Sequence, residues 1–343
     1  MAVRSILRFL LMRLGQTILT LWGLASLVFL MIKLLPGDEA QMAVGAEASP
    51  EQIEAARQRL GLDAPVIIQY LLFLSRLVKG DLGVSISTFQ PVLNDLVAVF
   101  PSTLELVSFA MLVNLAVAVP SAIVAANKRG GAFDGSSRFM AVIFGGLPVF
   151  WLALMLQYLL GTVWRLLPIS GHNAYGMGAP ILTGAATLDA LLALDWVALA
   201  DALRHIALPA VALAALFSTQ IFRAFRASLL GVLTSDFMMA VRAKGATARR
   251  VLLRHAVPNS VTATLALAGT QFGAMVGSSV LIESVFARKG VGAYMFNAVA
   301  QKDSFAVLGS VIFIGAVVCI ANLIVDLLQL VVDPRVRAAQ LGN

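Results

Sequence analysis

The chain has 343 residues, of which 59% are hydrophobic and only 13% are charged, and its net charge is +7. Its mean hydropathy is +0.89. About a quarter of the residues in a typical soluble domain are charged, so this composition excludes a soluble protein. Cys319 is the single cysteine, which excludes an intrachain disulfide and a cysteine-based metal site.

Several uncharged, apolar runs are long enough to cross a membrane, because about 20 helical residues span the hydrocarbon core. The runs are residues 14–32, 106–127, 139–164, 205–222, 256–282 and 304–325. They predict an all-α, polytopic membrane protein with six transmembrane helices and a small outer domain between the first and the second. The implied divisions are 1–32 (cytoplasmic N-terminus and first helix), 33–101 (extracytoplasmic region), 102–330 (five-helix core with a cytoplasmic loop at 223–258) and 331–343 (cytoplasmic tail).

The outer region carries local helix signals. Residues 49–52, Ser-Pro-Glu-Gln, form a capping box with proline at the first helical position, and Gly61 is placed to end that helix. A second apolar helix is predicted at 66–78, and a short helix is predicted to end at Pro101. These signals indicate a structured domain rather than a simple connection.

A seventh apolar stretch, residues 181–200, contains Asp189 and Asp195 and is followed by Asp201. On a helix these three carboxylates point about 120° apart, so no rotation hides them all from lipid. Each would cost about 2.5–3.5 kcal/mol near the membrane midplane. We therefore expect this stretch to be extramembrane or interfacial.

The distribution of Lys and Arg predicts the orientation. Most basic residues share one side of the membrane if the N-terminus is inside: Arg4, Arg8, Arg13, Lys128, Arg129, Arg138, Arg223, Arg226, Arg242, Lys244, Arg249, Arg250, Arg254, Arg335 and Arg337. By the positive-inside rule both termini are then cytoplasmic, and the net charge requires no nucleic-acid partner. A cleaved signal peptide is the alternative for the first run, but that run is long and lacks a small-residue cleavage site before Pro36.

The sequence shows no catalytic constellation. The dipeptide Gly-Lys does not occur, which excludes a Walker A loop. The histidines His172, His205 and His255 lack metal-ligand spacing, so we predict no metal site. An intramembrane serine protease, using Ser278 or Ser279 with His205, is the enzymatic alternative, but neither serine lies in a Gly-x-Ser-x-Gly elbow.

Polar residues in the fifth and sixth runs suggest a path through the membrane. Gly269, Gly273 and Gly277 recur every four residues on one face of the fifth run, which favours close helix packing. The polar candidates for a translocation path are Ser260, Thr264, Gln271 and Ser278 on the opposite face, with Asn322 and Asp326 in the sixth run. Two alternatives remain open: the fifth-run groups bond within the bundle, and Asp326 is an interfacial residue paired with Arg335 or Arg337.

No charged residue lies in the middle of any predicted span. Ion-coupled carriers usually hold the coupling ion at the midplane with such groups or with broken helices. Their absence, together with the missing Walker A loop, indicates that a separate polypeptide supplies the energy.

The basic loop at 223–258 has its own helical pattern. A helix is predicted at 236–244, in which Ala240 and Ala243 are small enough for close packing. Gly245 interrupts it, Thr247 is placed to cap a second helix, and Pro258 is placed to begin the next span. Two short helices joined at a glycine form a stiff, bent element outside the bilayer.

This loop resembles the cytoplasmic "EAA" loop in the permease subunits of bacterial ABC importers. That motif consists of Glu-Ala-Ala, a glycine after three more residues and Ile-x-Leu-Pro after a further nine. Here residues 239–241, Gly245 and residues 255–258 stand at the same spacing, with the glutamate and isoleucine replaced. The sequence is closer to the oligopeptide/dipeptide/nickel branch, whose loop contains Arg-Ala-Lys-Gly, Arg-Arg-Val-Leu and Arg-His-Ala. Stretches similar to this branch recur at 34–40, 49–86, 101–106 and 283–303, although Arg288-Lys289 replaces its usual Trp-Pro.

The resemblance implies a permease subunit of an ATP-driven importer of di- or oligopeptides in the bacterial inner membrane. Import of nickel or another small hydrophilic solute is the alternative within the branch, and an ion-coupled secondary carrier is the alternative outside it. The implied partners are a second homologous permease subunit in a heterodimer, two cytoplasmic ATP-binding subunits and an extracytoplasmic solute-binding protein. ATP would bind those partner subunits, and this chain would hold no cofactor.

The same resemblance assigns ATPase coupling to one set of residues. They are Asp236, Ala240, Arg242, Ala243, Lys244, Gly245, Ala246, Thr247, Arg249, Arg250, Arg254, His255, Pro258 and Asn259. The short helix after the glycine, about residues 246–250, is implied to sit in a groove of the ATPase.

Overall fold

The computed structural model describes residues 2–34, 38–45 and 48–332, and this part of the chain is built from helices with one isolated β-bridge between Val84 and Pro91. The α-helices are α1 (Ala2–Leu34), α2 (Glu39–Val44), α3 (Pro50–Leu60), α4 (Val66–Val78), α5 (Val92–Asn127), α6 (Ala132–Gly146), α7 (Val149–Leu156), α8 (Ala186–Leu192), α9 (Trp196–Leu233), α10 (Asp236–Ala243), α11 (Ala248–Arg250), α12 (Val257–Val285), α13 (Val291–Ala300) and α14 (Ser304–Val332). Two π-helical segments, Gln157–Val163 and Val251–Ala256, extend α7 and α11. The predicted tail beyond 332, with Arg335 and Arg337, lies outside the described residues, as does Pro36.

The all-α, polytopic prediction is confirmed. Five helices in the described part of the chain are long and apolar enough to cross a membrane, and a bent pair makes a sixth span if it is counted as one. That pair, Ala132–Gly146 and Val149–Val163, covers the third predicted span and is bent by 105°. The prediction of one straight helix at 139–164 is therefore wrong. Pro148 disfavours helical backbone at the preceding residue, and Leu147 is extended, with φ −80° and ψ 135°.

The helical signals of the outer region are confirmed at α3. The Ser49 hydroxyl accepts from the Gln52 backbone N–H at 3.3 Å, and the Gln52 side chain accepts from the Ser49 N–H at 2.9 Å, which completes the capping box. Gly61 ends the helix with φ 69°. The helix α4 packs against α1, where the Tyr70 and Ser26 hydroxyls lie 2.7 Å apart.

The predicted helix end at Pro101 is wrong, because α5 runs through it from Val92 to Asn127. Proline is tolerated inside long membrane helices when local adjustments satisfy the freed backbone groups. The part of the outer region from Val92 to Pro101 is thus continuous with the second predicted span.

Two of the aspartates in residues 181–201 accept hydrogen bonds from nearby backbone N–H groups. Between residue 181 and the start of α9 the chain forms only the short helix α8. Asp189 accepts from the Thr183 and Gly184 backbone N–H groups at 2.6 and 3.1 Å. Asp195 caps α9 by accepting from two backbone N–H groups at 3.0 Å each. α9 has 38 residues, so it is ~57 Å long and exceeds the thickness of a hydrocarbon core. Residues 181–200 therefore do not form one continuous helix.

The centre of the bundle is α9, which packs against α5, α12 and the bent pair. Small buried residues, including Ala110 of α5 and Ala210 and Ala214 of α9, allow these backbones to approach closely. A Cβ built at Gly269 would lie 2.1 Å from a Val325 side-chain carbon of α14, and one built at Gly273 would lie 3.3 Å from the Asn322 amide oxygen. The predicted glycine face is confirmed at these two positions, whereas Gly277 has no neighbour within 4 Å of that point.

A buried ion pair joins α5 to the segment that follows α12. Arg288 is only 1% exposed and donates from Nη2 to the Glu105 carboxylate at 3.0 Å. The other Glu105 oxygen accepts from the backbone N–H and the hydroxyl of Thr187, both at 2.6 Å. Arg288, one of the two residues that differ from the usual Trp-Pro, is therefore paired with a buried carboxylate.

The loop at 165–184 is fastened to the same corner. The Gly171 N–H donates to the Phe286 carbonyl at 2.9 Å, and the Lys289 N–H donates to His172 Nε2 at 2.8 Å. Burial, helped by the nearby Arg288 charge, lowers the pKa of His172 to about 4. The ring is therefore neutral at physiological pH and keeps its acceptor nitrogen available to Lys289.

Replacing Arg288 should show how much this ion pair contributes to the free energy of unfolding. Arg288→Met leaves Glu105 buried without its charged partner, and we expect a loss of about 3–5 kcal/mol in the free energy of unfolding. Adding Glu105→Gln should restore part of that loss, because it removes the buried carboxylate charge with which Arg288 pairs. Unfolding of the detergent-solubilised protein measures both variants, with Lys289→Met, at the exposed neighbouring residue, as the control. Equal stability of Arg288→Met and the control would contradict this account.

Candidate functional site

The basic loop folds into two helices joined at a glycine, as predicted. The helix α10 begins at Asp236 and ends at Ala243, and Gly245 follows with φ 76°, a backbone angle that other residues rarely adopt. No atom lies within 4 Å of a Cβ built at Gly245, so the glycine is required by the backbone and not by packing. Thr247 occupies the N-cap position of α11, but its side chain makes no capping hydrogen bond.

The second helix of the loop is continuous with the next span. α11, the π-helical turn Val251–Ala256 and α12 follow one another without a break, so residues 248–285 form one helix. We call this the coupling helix. Pro258 was predicted to begin the span, and it is the second residue of α12, although the helix continues before it as the π-helical turn. The turn before it is widened: the Val257 N–H donates to the carbonyl of Leu252, five residues earlier. A wider turn accommodates a proline, which lacks an N–H and crowds the preceding turn.

A small hydrophobic cluster holds α10 and the π-helical turn against the bundle. Its buried members are Ala126, Leu229, Met238, Val251 and Ala256, contributed by α5, α9, α10 and the coupling helix. Met238 is completely buried, although most of α10 is exposed. The loop is therefore a fixed element that packs on the ends of α5 and α9.

The opposite side of the loop is exposed and basic. Of the residues predicted to contact the ATPase, Ala246 and His255 are half-buried, and the others are exposed: Asp236, Ala240, Arg242, Ala243, Lys244, Gly245, Thr247, Arg249, Arg250, Arg254, Pro258 and Asn259. Exposed apolar side chains, Phe237, Met239 and Leu253, lie among them. A surface that combines charge with apolar groups is suited to contact another protein.

Three contacts tie the loop together internally. His255 packs against the Phe237 ring edge to face, with 6.3 Å between ring centroids, and so joins the π-helical turn to α10. The Asn259 amide donates to the His255 carbonyl at 2.7 Å, and Arg242 donates to the Leu233 carbonyl at the end of α9 at 3.1 Å. His255, where the general motif has an apolar residue, therefore has a packing role.

Arg226, one of the basic residues used to predict the orientation, is also an ion-pair partner. Arg226 of α9 donates from Nε and Nη2 to both oxygens of Asp134, each at 2.7 Å, and Asp134 is buried. Asp134 also accepts from the Gly130 N–H at 3.0 Å. This bidentate pair fixes the start of α6 to α9, near the end at which the loop is attached. Sequence reasoning missed it because the two residues are distant in the chain.

The path candidates of α12 lie inside the bundle. Ser260, Thr264 and Gln271 are buried, and Ser278 is half-buried. The Ser260 hydroxyl donates to the Ala256 carbonyl of its own helix at 2.8 Å. The role of these side chains in a path stays a prediction.

The candidates of α14 lie on the other side of α12. Asn322 faces the glycine side of α12, and its buried Oδ1 has no hydrogen-bond partner among the described residues. Asp326 pairs with Arg13 of α1 at 3.1 Å, and Arg335 and Arg337 lie outside the described residues. The structure therefore separates the six candidates into two groups instead of bringing them together. The partner of Asp326 could not be identified from local sequence.

Two polar residues that the sequence reasoning missed lie beside Gln271. Asn114 of α5 donates to Gln271 Oε1 at 3.0 Å, and Gln271 Nε2 donates to Gln220 Oε1 of α9 at 3.3 Å. Each interrupts an apolar run, and that isolation is the signal that could have identified them.

Truncation of the buried loop anchor should loosen the basic loop. In Met238→Ala we expect α10 to detach more often, because the truncation removes most of its buried contact with α9 and the coupling helix. Trypsin should then cleave after Arg242 or Lys244 several-fold faster in the folded, detergent-solubilised protein. Met239→Ala is the matched control, since Met239 is 57% exposed. Equal cleavage rates for the two variants would show that Met238 does not anchor the loop.

Two family models match the chain, and together they cover most of its length. The model described as "Binding-protein-dependent transport system inner membrane component" matches residues 118–338, and the N-terminal model for these membrane components matches residues 6–107. The resemblance seen in the basic loop thus extends to both halves of the chain.

Similar proteins are matched over almost their whole length. The chain is 34% identical over 327 residues to the dipeptide transport system permease protein DppB of Alkalihalophilus pseudofirmus, covering 95% of this chain and 98% of the relative. It is 35% identical over 335 residues to DppB of Escherichia coli (strain K12), covering 96% and 99%. It is 35% identical over 320 residues to the probable D,D-dipeptide transport system permease protein DdpB of the same strain, covering 93% and 94%.

These matches confirm the family inferred from the loop. Members of this family are membrane permease subunits and not catalytic enzymes, and they work with other ABC transporter subunits and a binding protein. The chain therefore belongs to the family of binding-protein-dependent transport system permeases, as a multi-pass inner-membrane subunit of an ABC transporter.

Proposed function

We propose that this chain is a permease subunit of an ATP-driven peptide importer and that residues 236–259 couple it to the ATPase. The relatives above are named for dipeptide transport, which favours peptides over nickel or another small solute. Family membership disfavours an ion-coupled secondary carrier. The observation that carries the coupling role is the continuity of the coupling helix from the exposed basic loop into the bundle.

The proposed assembly has four kinds of component. This chain and a second, homologous permease form a heterodimer that encloses the path, two cytoplasmic subunits bind and hydrolyse ATP, and an extracytoplasmic protein delivers the peptide. ATP is held by the partner subunits, so this chain needs no cofactor of its own. The basic loop and both termini are cytoplasmic in this arrangement, which the distribution of Lys and Arg supports.

The geometry supports a mechanical account of coupling. An ATPase that grips α11 and the exposed arginines pushes on the end of a helix whose other end lies beside the Glu105–Arg288 pair. Because the loop also packs on α5 and α9 through Met238 and Val251, a displacement of the loop reaches these helices together. The bundle then switches between inward-facing and outward-facing arrangements as rigid elements.

Gly245→Pro tests the function in a reconstituted transporter. We expect the wild-type complex to import a dipeptide only when ATP and the ATPase subunits are present, and collapse of ion gradients should not stop uptake. Proline cannot adopt φ 76°, so Gly245→Pro should abolish uptake and stimulation of the ATPase while the chain still inserts in the membrane.

Gly176→Pro is the matched control, because Gly176 has the same φ of 76° and equally open surroundings but lies outside the loop. We expect this variant to retain most uptake. Normal coupling in Gly245→Pro would refute the role of the loop, and wild-type uptake that continues without ATPase subunits would refute the importer itself.

A further inference from the structure

Gln220 is an exposed amide within the predicted membrane-spanning run of α9. Its neighbours Thr219 and Ile221 are buried, whereas Gln220 itself is on the surface of the bundle. An amide that faces lipid loses its hydrogen bonds to water, which costs several kcal/mol on hydrocarbon scales. The position therefore indicates a polar surrounding in the assembled transporter.

Gln220 is the outer member of a chain of three amides from three helices. Asn114 Nδ2 donates to Gln271 Oε1 at 3.0 Å, and Gln271 Nε2 donates to the Phe217 carbonyl at 3.2 Å and to Gln220 Oε1 at 3.3 Å. Asn114 and Gln271 are buried. The chain of amides thus leads from the interior of the bundle to its surface.

The hydrogen bonds fix which end of the Gln220 amide points outward. The Phe217 carbonyl only accepts, so the Gln271 atom that faces it is the nitrogen. The same nitrogen donates to Gln220, so the Gln220 atom that accepts this hydrogen bond is the oxygen. Among the described residues, Gln220 Nε2 donates to no protein group, which leaves its two N–H donors available at the surface.

The adjoining surface of α12 is compatible with a path. The residues of α12 exposed on one side near Gln271 are Thr270, Ala274, Gly277 and Leu281. Three of these side chains are small, and the Thr270 hydroxyl is already bonded to the Leu267 carbonyl at 2.9 Å. On α9, Arg223 is exposed one turn from Gln220. The surface around the Gln220 amide donor is thus formed mostly by small residues, and a basic residue lies next to it.

We propose that Gln220 contacts the transported peptide, donating from Nε2 to a backbone carbonyl oxygen. This inference rests on the proposed peptide function and adds a specific contact to it. A backbone carbonyl is present in every peptide whatever its side chains, so such a contact helps to hold diverse peptides. Gln271 and Asn114 act as positioning residues, because they hold the Gln220 oxygen and leave its nitrogen free.

Thiol labelling of the full transporter tests whether Gln220 faces an aqueous path. Cys319 is the only cysteine of the chain, so Cys319→Ala provides the background for Gln220→Cys. Val211→Cys is the matched control, since Val211 is 40% exposed and lies about 180° around the same helix. The probe is a charged methanethiosulfonate reagent, present on both sides of proteoliposomes that contain the partner subunits.

We expect Gln220→Cys to be labelled in at least one nucleotide state and Val211→Cys to remain unlabelled. Peptide-loaded binding protein with ATP should slow labelling at Gln220→Cys at least threefold. Absence of labelling would show that lipid or another subunit covers this position, and labelling that peptide does not slow would show that the peptide makes no contact there. Either result would overturn the inference.

A second variant separates a path contact from a structural role. Gln220→Leu should lower the number of peptides imported per ATP hydrolysed about five- to tenfold, as expected for the loss of one hydrogen bond. Its ATPase activity with loaded binding protein should be unchanged, whereas a structural defect would lower both. If the wild-type complex imports no peptide, the proposed function fails and this inference fails with it. If the wild type imports peptide but Gln220→Cys is not labelled, only this inference fails.

Discussion

The architecture depends on one constraint: the helix that carries Pro258 must keep its backbone N–H and C=O groups hydrogen-bonded where it enters the bundle. Pro258 has no N–H, and an ordinary α-helical turn before it would be crowded. The π-helical turn Val251–Ala256 resolves this by widening the helix, and the Val257 N–H reaches the Leu252 carbonyl. Residues 248–285 consequently remain one helix. An exposed, basic loop is thereby joined to the interior without a hinge of irregular backbone.

The position of the coupling helix determines what a displacement of the loop would move. Its glycine face packs on α14 at Gly269 and Gly273, and Gln271 on another side bonds to α5 and α9. Just beyond its far end, Arg288 is paired with Glu105 of α5. These contacts differ in kind, since the first is close packing, the second is amide hydrogen bonding and the third is a buried ion pair. Together they bind the helix to its neighbours along its length.

Features that are local in sequence were predictable. The capping box at Ser49, the interruption at Gly245 and the close packing at Gly269 and Gly273 follow from residues a few positions apart, and the basic loop alone indicated the family. Local rules were wrong at two prolines: Pro101 does not end α5, and Pro148, which was not expected to break a span, bends one. The partners of Glu105, Asp134 and Asp326 lie 183, 92 and more than 300 positions away, so no local pattern could reveal them.

The central claim is that the loop helix and the span move as one body. Spin labels at Arg249 and Leu281, both exposed, measure this in the cysteine-free background by electron paramagnetic resonance distance distributions. The two positions are ~48 Å apart along a continuous helix. The account predicts that this distance stays constant between the nucleotide-free and ATP-bound transporter. A change of several ångströms between Arg249 and Leu281 would show that the π-helical turn bends, and would contradict rigid transmission from the loop to the membrane.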